Sequence, residues 1–421
     1  MSIHYPTVEW AKGANIYEVN IRQYTAEGTF EAFSRHLPRL RDMGVDILWL
    51  MPITPISIKG RLGSLGSYYA CSSYTKINPE FGTLEDFKNL VNEAHEHGFK
   101  LIIDWVANHT GWDHEWATEH PEWYIKDNNG NFTDPNGWAD VIDLDYTSGA
   151  MRNALIEAMR YWVAETNIDG FRCDMAHLVP FDFWSAARPA CETIKPLFWL
   201  AECDVAEYLH VFDVSYAWNW MHTTERLMKG NASVHDVWTV LHDYSQYPDG
   251  ALKLFFTSNH DENSWNGTEY EKYGNAAKAM AVFTNSWKGV PLLYSGQELP
   301  NLQRLQFFNK DEIPWKENTA LHSFYKTLFA LHKTKAITDG ATFILPVEAD
   351  GIMAFLRKYE EEVVLVLLNL SAQDKICLNV QHEWLSGSFT NVFSGLNFSF
   401  NQSESFELQS GEYIVYQRVS A

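Results

Sequence analysis

Basic residues are scarce in this sequence. Thirty-two lysines and arginines stand against 54 aspartates and glutamates, which gives a formal net charge of −22. A protein with this excess of negative charge is repelled by phosphate backbones and by anionic membrane surfaces. No apolar run approaches the roughly 20 residues that a membrane-spanning helix needs. We therefore expect neither nucleic acid nor a membrane to be a partner.

Cysteine is equally scarce. The chain has an odd number of cysteines and no CxxC spacing, so neither a disulfide framework nor a zinc ribbon is indicated; they are Cys71, Cys173, Cys191, Cys203 and Cys377. The first 20 residues lack a basic stretch followed by an apolar segment, so we expect no export signal in this chain. This predicts a cytoplasmic protein, or an exported one whose signal peptide is absent from this chain. The sequence does not specify an oligomeric state.

Aromatic residues, in contrast, are abundant. Seventeen tryptophans, 20 tyrosines and 25 phenylalanines make up 15% of the 421 residues, within a composition that is otherwise ordinary for a globular protein. A large aromatic core explains part of this content. The rest suits a surface on which sugar rings stack.

Eight apolar, β-rich segments alternate with helical patterns along the first three quarters of the chain. Parallel strands connected by helices are typical of an α/β fold, and eight such units predict a closed (β/α)8 TIM barrel. The segments are residues 15–21, 46–52, 101–107, 171–175, 198–203, 211–216, 252–258 and 291–296.

Two other regions do not show this alternation of strands and helices. Residues 109–147 are rich in Trp, His, Asp and Asn, and we interpret them as a short inserted domain after strand three. After about residue 337 the helical pattern stops, and residues 337–421 are predicted to form a C-terminal antiparallel β-sandwich domain. The barrel then comprises residues 1–108 and 148–336.

Charged side chains follow the predicted barrel strands where the strands end. Asp174 and Glu202 lie at the ends of strands four and five, and Asp261 follows strand seven; barrel active sites lie at this end of the strands. Each residue alone has a structural explanation, such as an ion pair of Arg172 with Asp174. Their joint position favours a catalytic one, and three convergent carboxylates suit glycoside cleavage, which needs a nucleophile and an acid.

The neighbours of these carboxylates predict different protonation states. Arg172 lies two residues before Asp174 on the same face of the strand, so we expect it to lower the pKa of Asp174 and keep it ionised. Glu202 follows apolar residues with no adjacent cation in sequence, so we expect desolvation to raise its pKa.

These stretches resemble the conserved regions of the α-amylase family, glycoside hydrolase family thirteen, in their order along the chain. The similarity runs from about residue 13 to 300. It implies that Asp174 is the nucleophile of a retaining mechanism, that Glu202 is the general acid/base, and that Asp261 binds hydroxyls of the distorted sugar. The resemblance also implies that Tyr69 stacks on this sugar. It implies supporting contacts around the three carboxylates from His109, Arg172 and His260.

The same resemblance leaves the activity only partly specified. It implies cleavage of α-1,4-glucosidic bonds in starch-like glucans or maltooligosaccharides. Transglycosylase, cyclomaltodextrinase and α-1,6-glucosidase activities use the same three carboxylates and stay open, because Met175, after the nucleophile, matches neither the α-1,4 nor the α-1,6 pattern. Ser73 also departs from the family's usual aspartate. A non-catalytic glucan-binding protein is a more distant alternative, since such a protein would usually have lost one of the carboxylates.

A structural calcium is the only cofactor that the sequence predicts, and no organic cofactor is expected. By resemblance, Asn108 and Asp143 supply hard oxygen ligands for it between the barrel and the insertion. The alternative is that Asn108 is a hydrogen-bonding cap of its strand.

Overall fold

The computed structural model describes residues 7–248, 250–316 and 319–419. These residues form sixteen strands: β1 (Ile16–Val19), β2 (Ile47–Leu50), β3 (Lys100–Trp105), β4 (His109–Gly111), β5 (Val141–Asp143), β6 (Gly170–Cys173), β7 (Phe198–Ala201), β8 (Val214–Tyr216), β9 (Leu252–Phe255), β10 (Val290–Tyr294), β11 (Ala341–Ile344), β12 (Ile352–Tyr359), β13 (Glu362–Asn369), β14 (Ile376–Asn391), β15 (Asn397–Leu408) and β16 (Tyr413–Arg418).

Eight of the strands close into a parallel barrel in the order β1-β10-β9-β8-β7-β6-β3-β2. Each corresponds to one of the eight predicted segments, so the predicted TIM barrel is confirmed. Nearly every residue of these strands is buried, because the strands face packed side chains inside the barrel and helices outside it.

Thirteen α-helices lie in the described part of the chain: α1 (Ile21–Tyr24), α2 (Phe30–Ser34), α3 (Leu37–Met43), α4 (Leu84–Glu96), α5 (Glu115–Glu119), α6 (Gly149–Thr166), α7 (Phe181–Glu192), α8 (Trp218–Met228), α9 (Val234–Tyr244), α10 (Glu269–Tyr273), α11 (Ala277–Ser286), α12 (His322–His332) and α13 (Lys335–Thr338). Helix α4 shows how the sequence specifies them. Thr83 and Asp86 form a capping box at its start. None of the described helices is long and apolar enough to cross a membrane.

The segment between β3 and α6 leaves the barrel and carries a small sheet of its own. Within it, β4 pairs antiparallel with β5, and Leu144 donates a backbone hydrogen bond to Asn108 at 3.0 Å. This segment lies beside the carboxyl ends of the barrel strands, where His109 begins β4. That residues 109–147 are a separate domain stays a proposal.

The C-terminal region is a six-stranded antiparallel sheet in the order β11-β12-β13-β16-β14-β15. Apolar side chains from β12 and β13 share one buried cluster with side chains from β14 and β15, for example Leu365 with Phe389. Alternate residues of the same strands, such as Phe355, pack instead against Trp238 and Trp287 of the barrel region. The prediction that the C-terminal region forms an antiparallel β-sheet is thus confirmed. The boundary of this domain at residue 337 stays a proposal.

Candidate active site

A fully buried arginine lies where β6 ends. Arg172 Nη1 is 2.9 Å from Asp174 Oδ1 and 3.0 Å from Asp104 Oδ1. Its Nη2 is 2.9 Å from Glu202 Oε1. One guanidinium is therefore shared by carboxylates from three adjacent strands of the barrel, β3, β6 and β7.

Backbone pairing brings two of these carboxylates to the same height. Cys173 and Ala201 are paired residues of β6 and β7, and Asp174 and Glu202 follow them directly. The Glu202 backbone N–H continues the ladder by donating to the Cys173 carbonyl at 3.0 Å. Because both carboxylates also contact the same guanidinium, they lie side by side at the end of the barrel.

A second set of contacts surrounds His260, which is buried after β9. Its Nδ1 is 2.5 Å from Glu18 Oε1 on β1, and its Nε2 is 2.7 Å from the Tyr69 hydroxyl. The same Nε2 is 3.3 Å from Asp261 Oδ2. The imidazole therefore connects the first strand of the barrel to the third carboxylate of the site.

Asp104 joins these two sets of contacts. Its Oδ2 accepts hydrogen bonds from the Tyr69 hydroxyl at 3.0 Å and from the Trp49 indole N–H at 3.2 Å. Asp104 thereby orients the tyrosine that stacks on His260, with ring centroids 5.3 Å apart. Sequence reasoning assigned no role to Asp104 or Glu18, although each is a carboxylate within an otherwise apolar strand, which is the signal that could have found them.

A cleft of about 420 Å³ opens above this network. Of the residues predicted from the sequence, it is lined by Tyr69, His109, Asp174, Glu202 and Asp261. The two other predicted substrate contacts, Arg172 and His260, are buried behind the carboxylates and hold them through the contacts described above.

Aromatic side chains that the sequence did not single out also line the cleft: Trp138 of the insertion, Trp265 after β9, and Phe307 and Phe308 after β10. They come from three separate loops, and nothing in the local sequence shows that the loops meet. The only signal was the high aromatic content of the whole chain.

Burial determines the protonation of the carboxylates. Desolvation raises the pKa of Asp174 to about 6, although Arg172 acts in the opposite direction. Desolvation likewise raises the pKa of Glu202 to about 7, again against Arg172. The expectation of a lowered pKa for Asp174 is wrong, whereas the expected rise of the Glu202 pKa by desolvation is confirmed, even though Arg172 lies 2.9 Å from Glu202. The predicted order is retained, because Asp174 still ionises at lower pH than Glu202.

The two other titrating groups of the site differ from this pair. Burial would raise the pKa of Asp261, but the attraction of His260 outweighs it and the pKa is lowered. Burial would lower the pKa of His260, but Asp261 and Glu18 outweigh it and the pKa is raised well above its usual value. Asp261 and His260 therefore form a charged pair. Burial lowers the pKa of His109 to about 4, which keeps His109 neutral at pH 7.

Comparisons with known proteins agree with this geometry. A family model described as "Alpha amylase, catalytic domain" matches residues 11–195, and one described as "Maltogenic Amylase, C-terminal domain" matches residues 342–415. The crystal structure of a noncanonic maltogenic α-amylase, AmyB from Thermotoga neapolitana, superimposes with a TM-score of 0.89. The match has 30% identity and covers 98% of this chain and 100% of that one. This chain belongs to the α-amylase family.

Other members of the α-amylase family are similar over most of the chain. The structure of an α-amylase from Lactobacillus plantarum has a TM-score of 0.88 and 29% identity, and the match covers 97% of this chain and 100% of that one. The α-amylase MalA of Haloarcula japonica is 27% identical over 398 residues, which is 88% of this chain and 57% of that protein. The chain thus spans just over half the length of that curated relative. As a member of this family, it is an enzyme that acts on α-glucans.

The predicted calcium ligands lie together between the barrel and the insertion. Asn108 Nδ2 donates to Asp143 Oδ1 at 3.2 Å, and Asn136 Nδ2 donates to Asp143 Oδ2 at 3.4 Å. Burial, together with the nearby Asp134 carboxylate, raises the pKa of Asp143 to about 7. Calcium takes six to eight oxygen ligands. Within residues 7–248, 250–316 and 319–419, no group of three or more His, Cys, Asp or Glu side chains is arranged to hold a metal ion. The side chains alone do not complete a calcium site.

Calcium at this place stays a prediction that can be tested by chelation. If the ion binds Asp143, exhaustive treatment with EDTA should lower the melting temperature, and added calcium should restore it, because an ion that binds only the folded state stabilises it. Asp143→Asn should abolish the response. An unchanged melting temperature after chelation would instead support the hydrogen-bonded arrangement of Asn108 and Asp143.

Proposed function

We propose that this α-amylase family member is a retaining glycoside hydrolase that cleaves α-1,4-glucosidic bonds in starch-like glucans or maltooligosaccharides. In this proposal Asp174 is the nucleophile, Glu202 is the general acid/base, and Asp261 binds hydroxyls of the sugar at the reacting carbon. The observation that supports it most is the sharing of Arg172 by Asp174 and Glu202, which holds the two carboxyl groups side by side at one edge of the cleft. A retaining pair is about 5 to 5.5 Å apart, closer than the 6.5 to 9.5 Å of an inverting pair.

The first step breaks the bond between the anomeric carbon and the glycosidic oxygen. Arg172 binds Oδ1 of Asp174, so Oδ2 is the proposed attacking atom, and it forms a covalent bond to the anomeric carbon. Glu202 gives its proton to the departing oxygen. The Met175 backbone N–H donates to Glu202 Oε2 at 2.9 Å and fixes the orientation of the acid.

The second step reverses the roles. Glu202, now ionised, takes a proton from water, the water oxygen bonds to the anomeric carbon, and the bond to Asp174 breaks. The Asp174 carboxylate regains its negative charge beside Arg172 and Glu202 regains its proton, so that the enzyme returns to its starting state.

The pH dependence of kcat/KM should be bell-shaped with its maximum between about pH 6 and 7. Asp174 has to be ionised, so activity should fall as the pH drops through its pKa of about 6. Glu202 has to be protonated, so activity should fall as the pH rises through its pKa of about 7. Initial rates on maltopentaose across pH 4 to 9 would measure both limbs. A constant rate from pH 5 to pH 8 would contradict these assignments.

Two inversions at the anomeric carbon retain its configuration, so the first reducing ends released should be α-anomers. Proton NMR of a digest of maltopentaose, recorded before mutarotation, would measure the ratio of anomers. Newly formed β-anomer at early times would overturn double displacement and with it the role of Asp174.

Transfer to a sugar acceptor is the second candidate function, because the same covalent intermediate reacts with either water or a sugar hydroxyl. Met175 lines the cleft beside Glu202, so an apolar residue is available near the acid to contact an acceptor sugar. A product profile on starch, pullulan, cyclodextrin and maltooligosaccharides separates the activities. Products longer than the starting maltooligosaccharide would favour transfer, and panose or maltotriose from pullulan would identify the bond that is cleaved.

A further inference from the structure

A cavity of about 230 Å³ lies between α9, the start of β9 and the C-terminal sheet. The charged side chains that line it are all basic: Lys253, Lys288 and Arg357. None of the described lining residues is an aspartate or a glutamate; Asp249, which follows the lining residue Pro248, lies outside the described residues. We call this cavity the basic pocket. Such a concentration of positive charge is unexpected in a chain with a net charge of −22.

The fold brings the cations of the basic pocket together from distant parts of the chain. Arg357 lies two residues after Phe355 on β12, so the two side chains share one face of the strand. Phe355 packs against Trp287 with ring centroids 5.2 Å apart, and Lys288 directly follows Trp287. Arg357 of the C-terminal sheet therefore faces the segment of the barrel region that carries Lys288.

Arg357 is a buried cation without a counter-charge among the described residues. It is 1% exposed and donates hydrogen bonds to the carbonyls of Ala336 at 3.2 Å and Ile337 at 2.5 Å, and to the Thr342 hydroxyl. Burial lowers its pKa to about 10, and no carboxylate in the described part of the chain opposes this shift. An arginine has five N–H donors, so one on each terminal nitrogen is left for a ligand. Because a buried charge is costly without an opposite charge, Arg357 is suited to bind an anion.

The two lysines of the basic pocket differ in how they are compensated. Lys253 is buried, and its Nζ is 2.6 Å from Asp204 Oδ1, so its charge is already balanced. Lys288 is exposed and forms no hydrogen bond or ion pair with any of the described residues. Tyr247 lies beside Lys253, and desolvation raises the pKa of its hydroxyl to about 12, which keeps it a neutral donor at pH 7. The described residues thus leave two positive charges, on Lys288 and Arg357, without a carboxylate.

We propose that the basic pocket binds a phosphate group, held by Arg357 and Lys288 between the barrel and the C-terminal sheet. A phosphate dianion balances the two charges, and its oxygens accept hydrogen bonds from the guanidinium, the ammonium and the Tyr247 hydroxyl. The group is supplied either by free phosphate or by a sugar phosphate, whose ring has the aromatic faces of Tyr244 and Tyr247 to pack against. This site shares no described lining residue with the active-site cleft, so the proposal is independent of the proposed function.

Equilibrium dialysis with radiolabelled inorganic phosphate, at pH 7.5 and constant ionic strength, tests this proposal. The wild type should bind phosphate saturably. Lys288→Gln should weaken binding by about tenfold, because it removes one charge-assisted contact, and Lys288→Glu should abolish it. Lys278→Gln is the matched control, since Lys278 is also exposed, lies on α11 and does not line the pocket. The absence of saturable binding to the wild type, or an equal loss in Lys278→Gln, would overturn the proposal.

Arg357→Met should abolish phosphate binding as well, and its melting temperature would show whether this variant folds. If it does not fold, the Lys288 variants decide the outcome, because Lys288 is exposed and its replacement should leave the fold intact. Phosphate should raise the melting temperature of the wild type at constant ionic strength, since a ligand of the folded state stabilises it. An equal rise in Lys288→Glu would refute the site.

Glucose 1-phosphate distinguishes the two sources of the phosphate group. Tighter binding of glucose 1-phosphate than of inorganic phosphate, by competition in the same dialysis, would identify a sugar phosphate as the ligand. Equal or weaker binding would identify the free ion. Asp249→Asn should bind phosphate at least as tightly as the wild type, because it removes a negative charge next to the lining residue Pro248. Loss of binding in Asp249→Asn would contradict an anion site.

Discussion

Asp174→Asn and Glu202→Gln should each lower kcat on maltopentaose by at least about 100-fold, because each removes a group that exchanges a bond or a proton with the substrate. The fold should persist in both variants. Arg172 keeps two carboxylate contacts in either case, and a neutral amide in a buried position avoids the repulsion among Asp104, Asp174 and Glu202. The melting temperature should therefore stay the same or rise.

Asp213→Asn is the matched control for these variants. Asp213 is also buried, and its Oδ1 is 2.9 Å from Arg188 Nη2, but it lies outside the cleft. The Asp213→Asn substitution should lower the melting temperature, and kcat should stay within a few-fold of the wild-type value. Asp174→Asn with more than about a hundredth of the wild-type kcat would refute the assignment of the nucleophile.

Arg172→Met should destabilise the protein by about 3 to 5 kcal/mol at pH 8, because it leaves three buried carboxylates without their cation. Without the guanidinium, the pKa values of these carboxylates rise further above those of the unfolded chain. A carboxyl group whose pKa is raised in the folded state destabilises the fold at high pH, where it is ionised. This destabilisation disappears as the pH falls and the group becomes protonated. The loss of stability should therefore be smaller at pH 5 than at pH 8.

Urea unfolding at both pH values would measure this difference. Arg188→Met serves as the control, since Arg188 is a buried arginine that contacts Asp213 and Glu192 away from the cleft. The effect of Arg188→Met should change less with pH, because Asp213 and Glu192, which Arg188 contacts, are not catalytic candidates and do not share the guanidinium of Arg172. An Arg172→Met variant whose destabilisation is the same at pH 5 and pH 8 would show that the carboxylates do not depend on this arginine for their charge.

The barrel could be predicted from the sequence because its strands are short, apolar and bounded by turns or helices. Strands β11 and β15 of the C-terminal sheet have the opposite character. Residues Ala341–Ile344 of β11 are all exposed although three of the four are apolar, and β15 places its three phenylalanines in a long polar series, so the local sequence of neither strand shows a buried face. Their place in the sheet depends on pairing with β12 and β14, which is a long-range contact.

The candidate site shows a similar division. Asp174, Glu202 and Asp261 were predictable because barrel topology places the ends of all strands at one rim. The sequence could not show that Arg172 contacts three carboxylates, because Asp104 lies 68 residues away from Arg172 and reaches it only in the closed barrel. The predicted direction of the Asp174 pKa shift was wrong for the same reason. Sequence showed the nearby charge, whereas the extent of burial, which has the larger effect, depends on the whole fold.

The contact between Glu18 and His260 has a consequence for the synthesis of the protein. The two residues are 242 positions apart, and β1, which carries Glu18, pairs with β2 and with β10. A growing chain can fold its early βα units as they emerge, but β1 lacks one neighbour until Tyr294 has been made. Until then His260 has no partner from the first strand and Asp261 is not held. We therefore expect the site to be completed only when β10 closes the barrel, and fragments that end before β10 to be inactive however much of the cleft they contain.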